Sequence, residues 1–146
     1  MKLQITSILI GLCIAGTSLS SYGAPELKSS NDIYSRVSGV WGMETPGLDC
    51  KSRPSRYKFG DGNKIMSISN NDQQSMHDGS TRDVVNYKVV SNDKTTITLA
   101  MENETRLNKN GKSALWKIVL VSDNKFYWQI SGEPQEQWGP VIKCVN

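Results

Sequence analysis

The chain of 146 residues contains 17 lysine and arginine residues, 14 aspartate and glutamate residues and a single histidine. Its net charge of +3 is too close to neutral to favour a nucleic-acid-binding protein, and no nucleic-acid-binding motif accompanies it. With one histidine, the chain lacks the ligands of a structural zinc site and offers no assembly of acid, base and nucleophile, so we expect no metal, no cofactor and no enzymatic activity.

Residues 1–23 have the pattern of a secretory signal peptide. Lys2 provides the positive N-terminal region, and the apolar run that follows is too short to span a bilayer. Ser21 and Gly23 are small residues at the positions that a signal peptidase requires, so we predict cleavage after Gly23. The mature protein is then expected to be one secreted or periplasmic domain, residues 24–146, without a membrane span.

The sequence contains three cysteines. Cys13 lies in the predicted signal peptide, and Leu12 stands where a lipoprotein signal has a small residue, which argues against lipidation. Cys50 and Cys144 remain in the mature chain, and an even pair in an oxidising compartment predicts one disulfide. A metal site is the alternative for this pair, but the further ligands that it needs are missing.

The mature chain predicts one short helix followed by a series of strands. The helix is expected within residues 27–37, with Asn31 or Asp32 as its N-cap. The predicted strands lie near Val37–Met43, Arg56–Phe59, Lys64–Ser69, Val84–Ser91, Thr95–Leu107, Leu115–Ser122, Lys125–Ile130 and Val141–Val145. Their short connections predict antiparallel neighbours, and we expect an all-β fold, a closed up-and-down barrel of about eight strands. The longest predicted loop is Asn70–Thr81.

Alternation with period two assigns the faces of these strands. In the strand Thr95–Leu107 the apolar residues share one face: Ile97, Leu99, Met101 and Leu107. In the next strand Trp116, Ile118 and Leu120 alternate with residues that are also mostly apolar, so we expect this strand and the one after it to lie where something covers their outer face. Glu102, Glu104 and Arg106 share the opposite, polar face of the first of these strands. Two interpretations remain open for this trio: ion pairs on a wet surface, or a group that holds a polar ligand if that face looks into the lumen.

The segment Ser38-Gly39-Val40-Trp41-Gly42 resembles the G-x-W start of the lipocalin and avidin-like (calycin) barrels. The resemblance implies that Trp41 closes one end of the barrel beneath a ligand cavity, with a basic residue of the last strand over it. Lipocalins have an arginine there, and the nearest candidate here is Lys143, which does not fork or stack as a guanidinium does. A cysteine from early in the barrel bridged to the C-terminal region is also familiar in lipocalins.

Two fainter resemblances concern the middle and the end of the chain. Glu104, Arg106, Gly111 and Trp116 resemble a pattern of small secreted bacterial domains, which implies no activity. Ser131-Gly132 is similar to the Ser-Gly loop of periplasmic lysozyme inhibitors, but the tyrosine that ends their loop is absent.

The mature chain contains four tryptophans, which are the main candidates for a binding site. Trp41, Trp116 and Trp128 fall in predicted strands, whereas Trp138 is expected in a loop, residues 131–139, where it would serve a ligand mouth or a protein contact. The predicted ligand-binding residues are Trp41, Glu104, Arg106, Trp116, Trp128 and Trp138. His77 is interpreted as a solvated loop residue. A basic cluster is also predicted at the surface: Lys51, Arg53, Arg56 and Lys58.

These observations favour a non-enzymatic, lipocalin-like binding protein for a small apolar or amphipathic molecule. The alternative is a protein-binding inhibitor or immunity factor that acts on an envelope-attacking enzyme. The predicted partner is therefore a small-molecule ligand or an envelope or extracellular protein, and not a nucleic acid.

Overall fold

The computed structural model describes residues 32–76 and 78–145, without the side chains of residues 71–73. The predicted signal peptide, its cleavage site, Asn31 and His77 lie outside the described residues.

One short helix, α1, precedes the strands and covers an end of the molecule. It spans Ile33–Val37, and the side chain of Asp32 caps it by accepting a hydrogen bond from the backbone N of Tyr34. Ile33 and Val37 are buried, so the helix packs its apolar side against the strands. The guanidinium of Arg36 binds Asp123 at 2.7 Å, which ties the helix to a turn between two later strands.

Eight antiparallel strands form a closed barrel in chain order. They are β1 Gly39–Met43, β2 Ser55–Gly60, β3 Ile65–Ser75, β4 Thr81–Asn92, β5 Thr96–Met101, β6 Trp116–Ser122, β7 Lys125–Ile130 and β8 Glu133–Lys143. Each strand pairs with the next, and β8 returns to pair with β1, where Trp41 lies opposite Lys143. The prediction of an up-and-down barrel is confirmed, because β1 and β8, which would be the open edges of a flat sheet, pair with each other.

The predicted loop Asn70–Thr81 is wrong, because β3 continues to Ser75 and β4 already begins at Thr81. The pairing of these strands shifts register between Ser69 and Gln74 and then continues to the rim. Near the rim of a barrel, both faces of a strand can contact water. Polar residues can therefore form a strand there, and the sequence shows no alternation of apolar residues that would predict it.

Two other predicted strand bounds are also wrong. The fifth strand ends at Met101 instead of Leu107, since Asn103 adopts a positive φ of 58° that no strand accommodates. The last strand begins at Glu133 instead of Val141, and the Glu133 side chain is buried and accepts a hydrogen bond from the backbone N of Lys109 at 3.1 Å. This contact holds the long β5–β6 connection against the start of β8.

The interior of the barrel follows the predicted alternation. Ile97, Leu99 and Met101 are buried, as are Trp116, Ile118 and Leu120. Leu107 is the exception, with 66% of its surface exposed, because it lies beyond the end of β5. The face assignments are therefore confirmed wherever the strands themselves extend.

The predicted disulfide between Cys50 and Cys144 forms, with the two Cα atoms 5.5 Å apart. It fastens the β1–β2 connection to the end of β8. The same connection passes so close to β1 that a Cβ atom at Gly42 would collide with the backbone of Asp49 and Cys50. Only glycine fits at this position without displacing the connection.

Candidate ligand-binding site

A column of aromatic rings runs through the barrel from the helix-covered end to the open end. The ring centroids of Trp41 and Phe126 are 4.7 Å apart, and those of Phe126 and Trp128 are 6.3 Å apart. Trp116 follows at 6.1 Å from Trp128, and Trp138 at 5.5 Å from Trp116. Tilted and edge-on ring contacts at these distances are favourable, so the column forms a rigid apolar axis.

Trp41 closes the helix-covered end. It has no exposed surface, and its indole nitrogen donates a hydrogen bond to the carbonyl of Val37 at 2.8 Å. The Lys143 ammonium lies 5.3 Å from the centre of the Trp41 ring and donates to the carbonyl of Arg36 at 3.0 Å. The contact between Lys143 and Trp41 is therefore present, and it joins the last strand, the plug and the helix in one arrangement.

The opposite end holds a cavity of about 570 Å³, which we call the mouth chamber. Its lining is rich in aromatic and thioether side chains: Met43, Gln74, Ser75, Met76, Tyr87, Met101, Arg106, Trp116, Trp128 and Trp138. Small-molecule sites are concave, mostly apolar and of this size, with a few polar groups that fix the ligand's orientation.

A smaller cavity of about 220 Å³, the inner pouch, lies beneath the β1–β2 connection. It shares Met43, Gln74 and Trp128 with the mouth chamber and reaches Trp41. The Asn70 Oδ1 atom in its wall is buried and has no hydrogen-bond partner among the described residues. The pouch therefore extends the apolar chamber and offers a hydrogen-bond acceptor.

Glu104, Arg106 and Trp116 form a connected cluster at the rim of the mouth chamber. The Arg106 guanidinium makes a two-pronged contact with the Glu104 carboxylate, at 2.8 Å from Nε and 2.9 Å from Nη2. The Trp116 indole nitrogen donates to the same carboxylate at 2.7 Å. The guanidinium carbon of Arg106 lies 4.4 Å from the centre of the Trp116 ring, so Arg106 is held flat against the tryptophan.

The protonation of the site follows from this geometry. Burial alone would raise the pKa of Glu104, but hydrogen bonds from Arg106 and Trp116 outweigh it and lower that pKa below its usual range. Burial raises the pKa of Tyr87 to about 12, and burial also raises that of Tyr57. At neutral pH Glu104 is therefore ionised, and Tyr57 and Tyr87 are neutral.

The predicted trio on the polar face separates in the structure. Glu104 and Arg106 turn to the mouth of the barrel, whereas Glu102 is exposed and accepts a hydrogen bond from the side chain of Asn86 at 3.3 Å. Because β5 ends at Met101, period two no longer places the three residues on one face.

Trp138 is also placed differently from the sequence prediction. It belongs to β8 and pairs with Trp128 of β7, so it is not a loop residue. Its side chain nevertheless lines the mouth chamber and is 39% exposed, the position that the predicted ligand mouth requires.

Of the six predicted ligand-binding residues, four line the mouth chamber: Arg106, Trp116, Trp128 and Trp138. Glu104 stands behind Arg106, and Trp41 lines only the inner pouch. Sequence reasoning missed Tyr87, which follows Val85 in the inward alternation of β4, and Met76, which fell in the wrongly assigned loop.

Other predicted features lie apart from this site. Within residues 32–76 and 78–145, no three histidine, cysteine or acidic side chains come together as a metal site. Asp78 forms an ion pair with Arg82 at 3.6 Å. The residues of the predicted basic cluster are all exposed, and Arg53 also borders the inner pouch.

The fold and the cavity together define an all-β, closed eight-stranded barrel with an aromatic chamber at one end. Comparison with protein-family models, with curated proteins and with solved structures finds no match for this chain. Among the residues that the structure describes, no helix is long and apolar enough to cross a membrane.

Proposed function

We propose that this protein is a non-enzymatic, secreted or periplasmic binding protein that takes a small apolar or amphipathic molecule into the mouth chamber, in the manner of a lipocalin. The observation that carries the proposal is a cavity of about 570 Å³, walled by three tryptophans, Tyr87 and three methionines at one end of a closed barrel.

The walls of the chamber favour an apolar guest on energetic grounds. Transfer of a methylene group from water to an apolar wall contributes about 0.8 kcal/mol, so a chain of several carbons gains useful affinity by contact with the rings. The walls are also preformed, since Trp116 is fixed by Glu104 and Trp128 donates to the Tyr57 hydroxyl at 3.3 Å. A preformed wall reduces the entropy that binding must overcome.

The chemistry of the lining supports a binding role over catalysis. Among the side chains that the structure describes, the titratable residues that line the chamber are Arg106 and Tyr87. Neither serves as a general base near neutral pH, because arginine stays protonated and burial raises the pKa of Tyr87 to about 12. Glu104 is ionised, but its oxygens already accept hydrogen bonds from Arg106 and Trp116.

The proposal is tested with residues 24–146 and the apolar fluorescent probe N-phenylnaphthylamine. We expect enhanced probe fluorescence with saturable binding, and quenching of tryptophan emission when long-chain alcohols or acids enter. Ser75→Phe should abolish probe binding by filling the rim of the chamber. Ser91→Phe adds the same ring at an exposed site at the other end of the barrel and should leave binding intact. Absence of probe binding to the folded wild-type chain would remove the proposal.

One observation favours the second candidate, a protein-binding inhibitor of an envelope-attacking enzyme. Residues 134–139 of β8 are all exposed, and Trp138 within them offers a large ring to a partner. A lysozyme assay with and without the mature chain tests the best-defined version. Inhibition that Trp138→Ala relieves would support it, and unaltered lysozyme rates would eliminate it.

A further inference from the structure

Arg106 is a charged side chain in the wall of the mouth chamber. No acidic residue lines this chamber among the residues whose side chains the structure describes. Glu104 is the acid nearest to Arg106, but only 4% of its side chain is exposed, behind the guanidinium. The wall of the mouth chamber therefore presents the positive charge and the hydrogen-bond donors of Arg106 to a guest.

Arg106 is prepared to receive a hydrogen-bond acceptor. Its Nε and Nη2 atoms contact Glu104, whereas Nη1 has no hydrogen bond to any described residue. The side chain is 31% exposed, and the ring of Trp116 holds it in place. A guanidinium fixed in this way loses little conformational freedom when it binds a further group.

The positive charge of Arg106 determines which polar group of a ligand the chamber binds best. A cationic group would face Arg106, and no acid among the described side chains of the lining would pair with it. A neutral hydroxyl could accept a hydrogen bond from Arg106, whereas an anionic group would accept the same hydrogen bond and add the attraction between opposite charges. Glu104 opposes an incoming anion, but only 4% of its side chain is exposed and its oxygens already accept hydrogen bonds from Arg106 and Trp116.

We propose that the preferred guest is an amphipathic anion, whose apolar body lies against Trp128 and Trp138 and whose anionic group contacts Arg106. This inference rests on the proposed function, because it specifies the ligand class of the same chamber. Carboxylate, sulfate and phosphate share the required chemistry, and the inference concerns the charge and not the identity of the head group.

The test compares decanoate, decanol and decylammonium as competitors of N-phenylnaphthylamine on the wild-type mature chain. The three share one tail, so affinity differences report the head group. We expect decanoate to bind at least about tenfold more tightly than decanol, in line with a charge-assisted hydrogen bond, and decylammonium to bind most weakly. Equal affinities, or a preference for the alcohol or the amine, would overturn the inference while leaving the proposed function standing. If neither the probe nor any competitor binds, the proposed function itself fails.

Variants then assign the preference to Arg106. Arg106→Gln should reduce decanoate binding to the level of decanol, and its amide can still donate to Glu104. Arg56→Gln makes the same charge change at an exposed position of β2 and should retain the preference. A preference that survives in Arg106→Gln would contradict the assignment, and the wild-type comparison decides the ligand class even if that variant does not fold.

Discussion

Replacing Glu104 by glutamine removes one charge from the most connected side chain at the rim of the mouth chamber. Glu104 accepts from the backbone N, Nε and Nη2 of Arg106 and from the indole of Trp116, at 2.7–2.9 Å. Glutamine has a single acceptor oxygen, so its amide NH₂ must face donors that the carboxylate now satisfies. Hydrogen bonds to a charged group contribute about 1.5–3 kcal/mol each. Water compensates Arg106 in part, because its side chain is 31% exposed, and we expect a net loss of about 2 kcal/mol.

The pH dependence of this loss supplies a second, independent readout. The folded-state pKa of Glu104 lies below its usual range, so its ionised form stabilises the fold fully above the carboxyl pKa of the unfolded chain. That contribution disappears as the pH falls through the lowered folded-state pKa. The difference between wild type and Glu104→Gln should therefore be complete at neutral pH and shrink in acid.

Urea unfolding, followed by circular dichroism in a series of buffers from neutral to acid, measures both effects. Glu102→Gln is the matched control, because Glu102 is exposed and its side chain accepts a hydrogen bond from the Asn86 amide at 3.3 Å. It should change the free energy of unfolding by less than about 0.5 kcal/mol. If Glu104→Gln were as stable as wild type at neutral pH, or if its deficit did not change with pH, the reasoning would be refuted.

Three further changes probe the closed end and its fastening. Replacing Cys50 and Cys144 together by serine should lower the free energy of unfolding by about 2–4 kcal/mol in urea titrations, and an unchanged midpoint would contradict the role of the bridge. Gly42→Ala should lower the melting temperature by several degrees, because its Cβ meets the backbone at Cys50, whereas Gly60→Ala meets open space and serves as its control. Lys143→Met keeps the aliphatic stem but loses the ammonium over the plug and its hydrogen bond, which should cost about 1 kcal/mol in the same assay.

The alternation of apolar and polar residues correctly predicted which side chains face the barrel interior in strands that pair with a neighbouring strand on both sides. In β6 and β7, inward residues such as Ile118 and Phe126 have no exposed surface, and Tyr127 between the inward residues of β7 is only partly buried. The short turns between these strands predicted that each strand is antiparallel to the next. About eight such strands in chain order predicted that the sheet closes into a barrel.

The rim could not be predicted in the same way, because the barrel wall there has water on both sides. The polar end of β3 and the start of β8 are held by backbone ladders and by one buried acid, Glu133, which the alternation of apolar residues does not reveal. The site shares this difficulty. Glu104 and Arg106 contact Trp116 only because the chain leaves β5 at Met101 and turns, an event that depends on the backbone at Asn103.

The two ends of the barrel use the same kind of residue for opposite purposes. At the closed end, Trp41 is wholly buried, its nitrogen is satisfied by Val37, and a helix covers it, so the ring contributes its full apolar area to stability. At the open end, Trp138 keeps 39% of its surface exposed beside Trp116, whose polar partners hold it in place without filling the space in front of it. A core selected for stability alone would close that space with side chains, since exposed rings gain little from the fold. Because the aromatic column ends in an open chamber, the apolar surface that folding leaves unburied remains available to a guest, whose binding would add to the stability of the folded state.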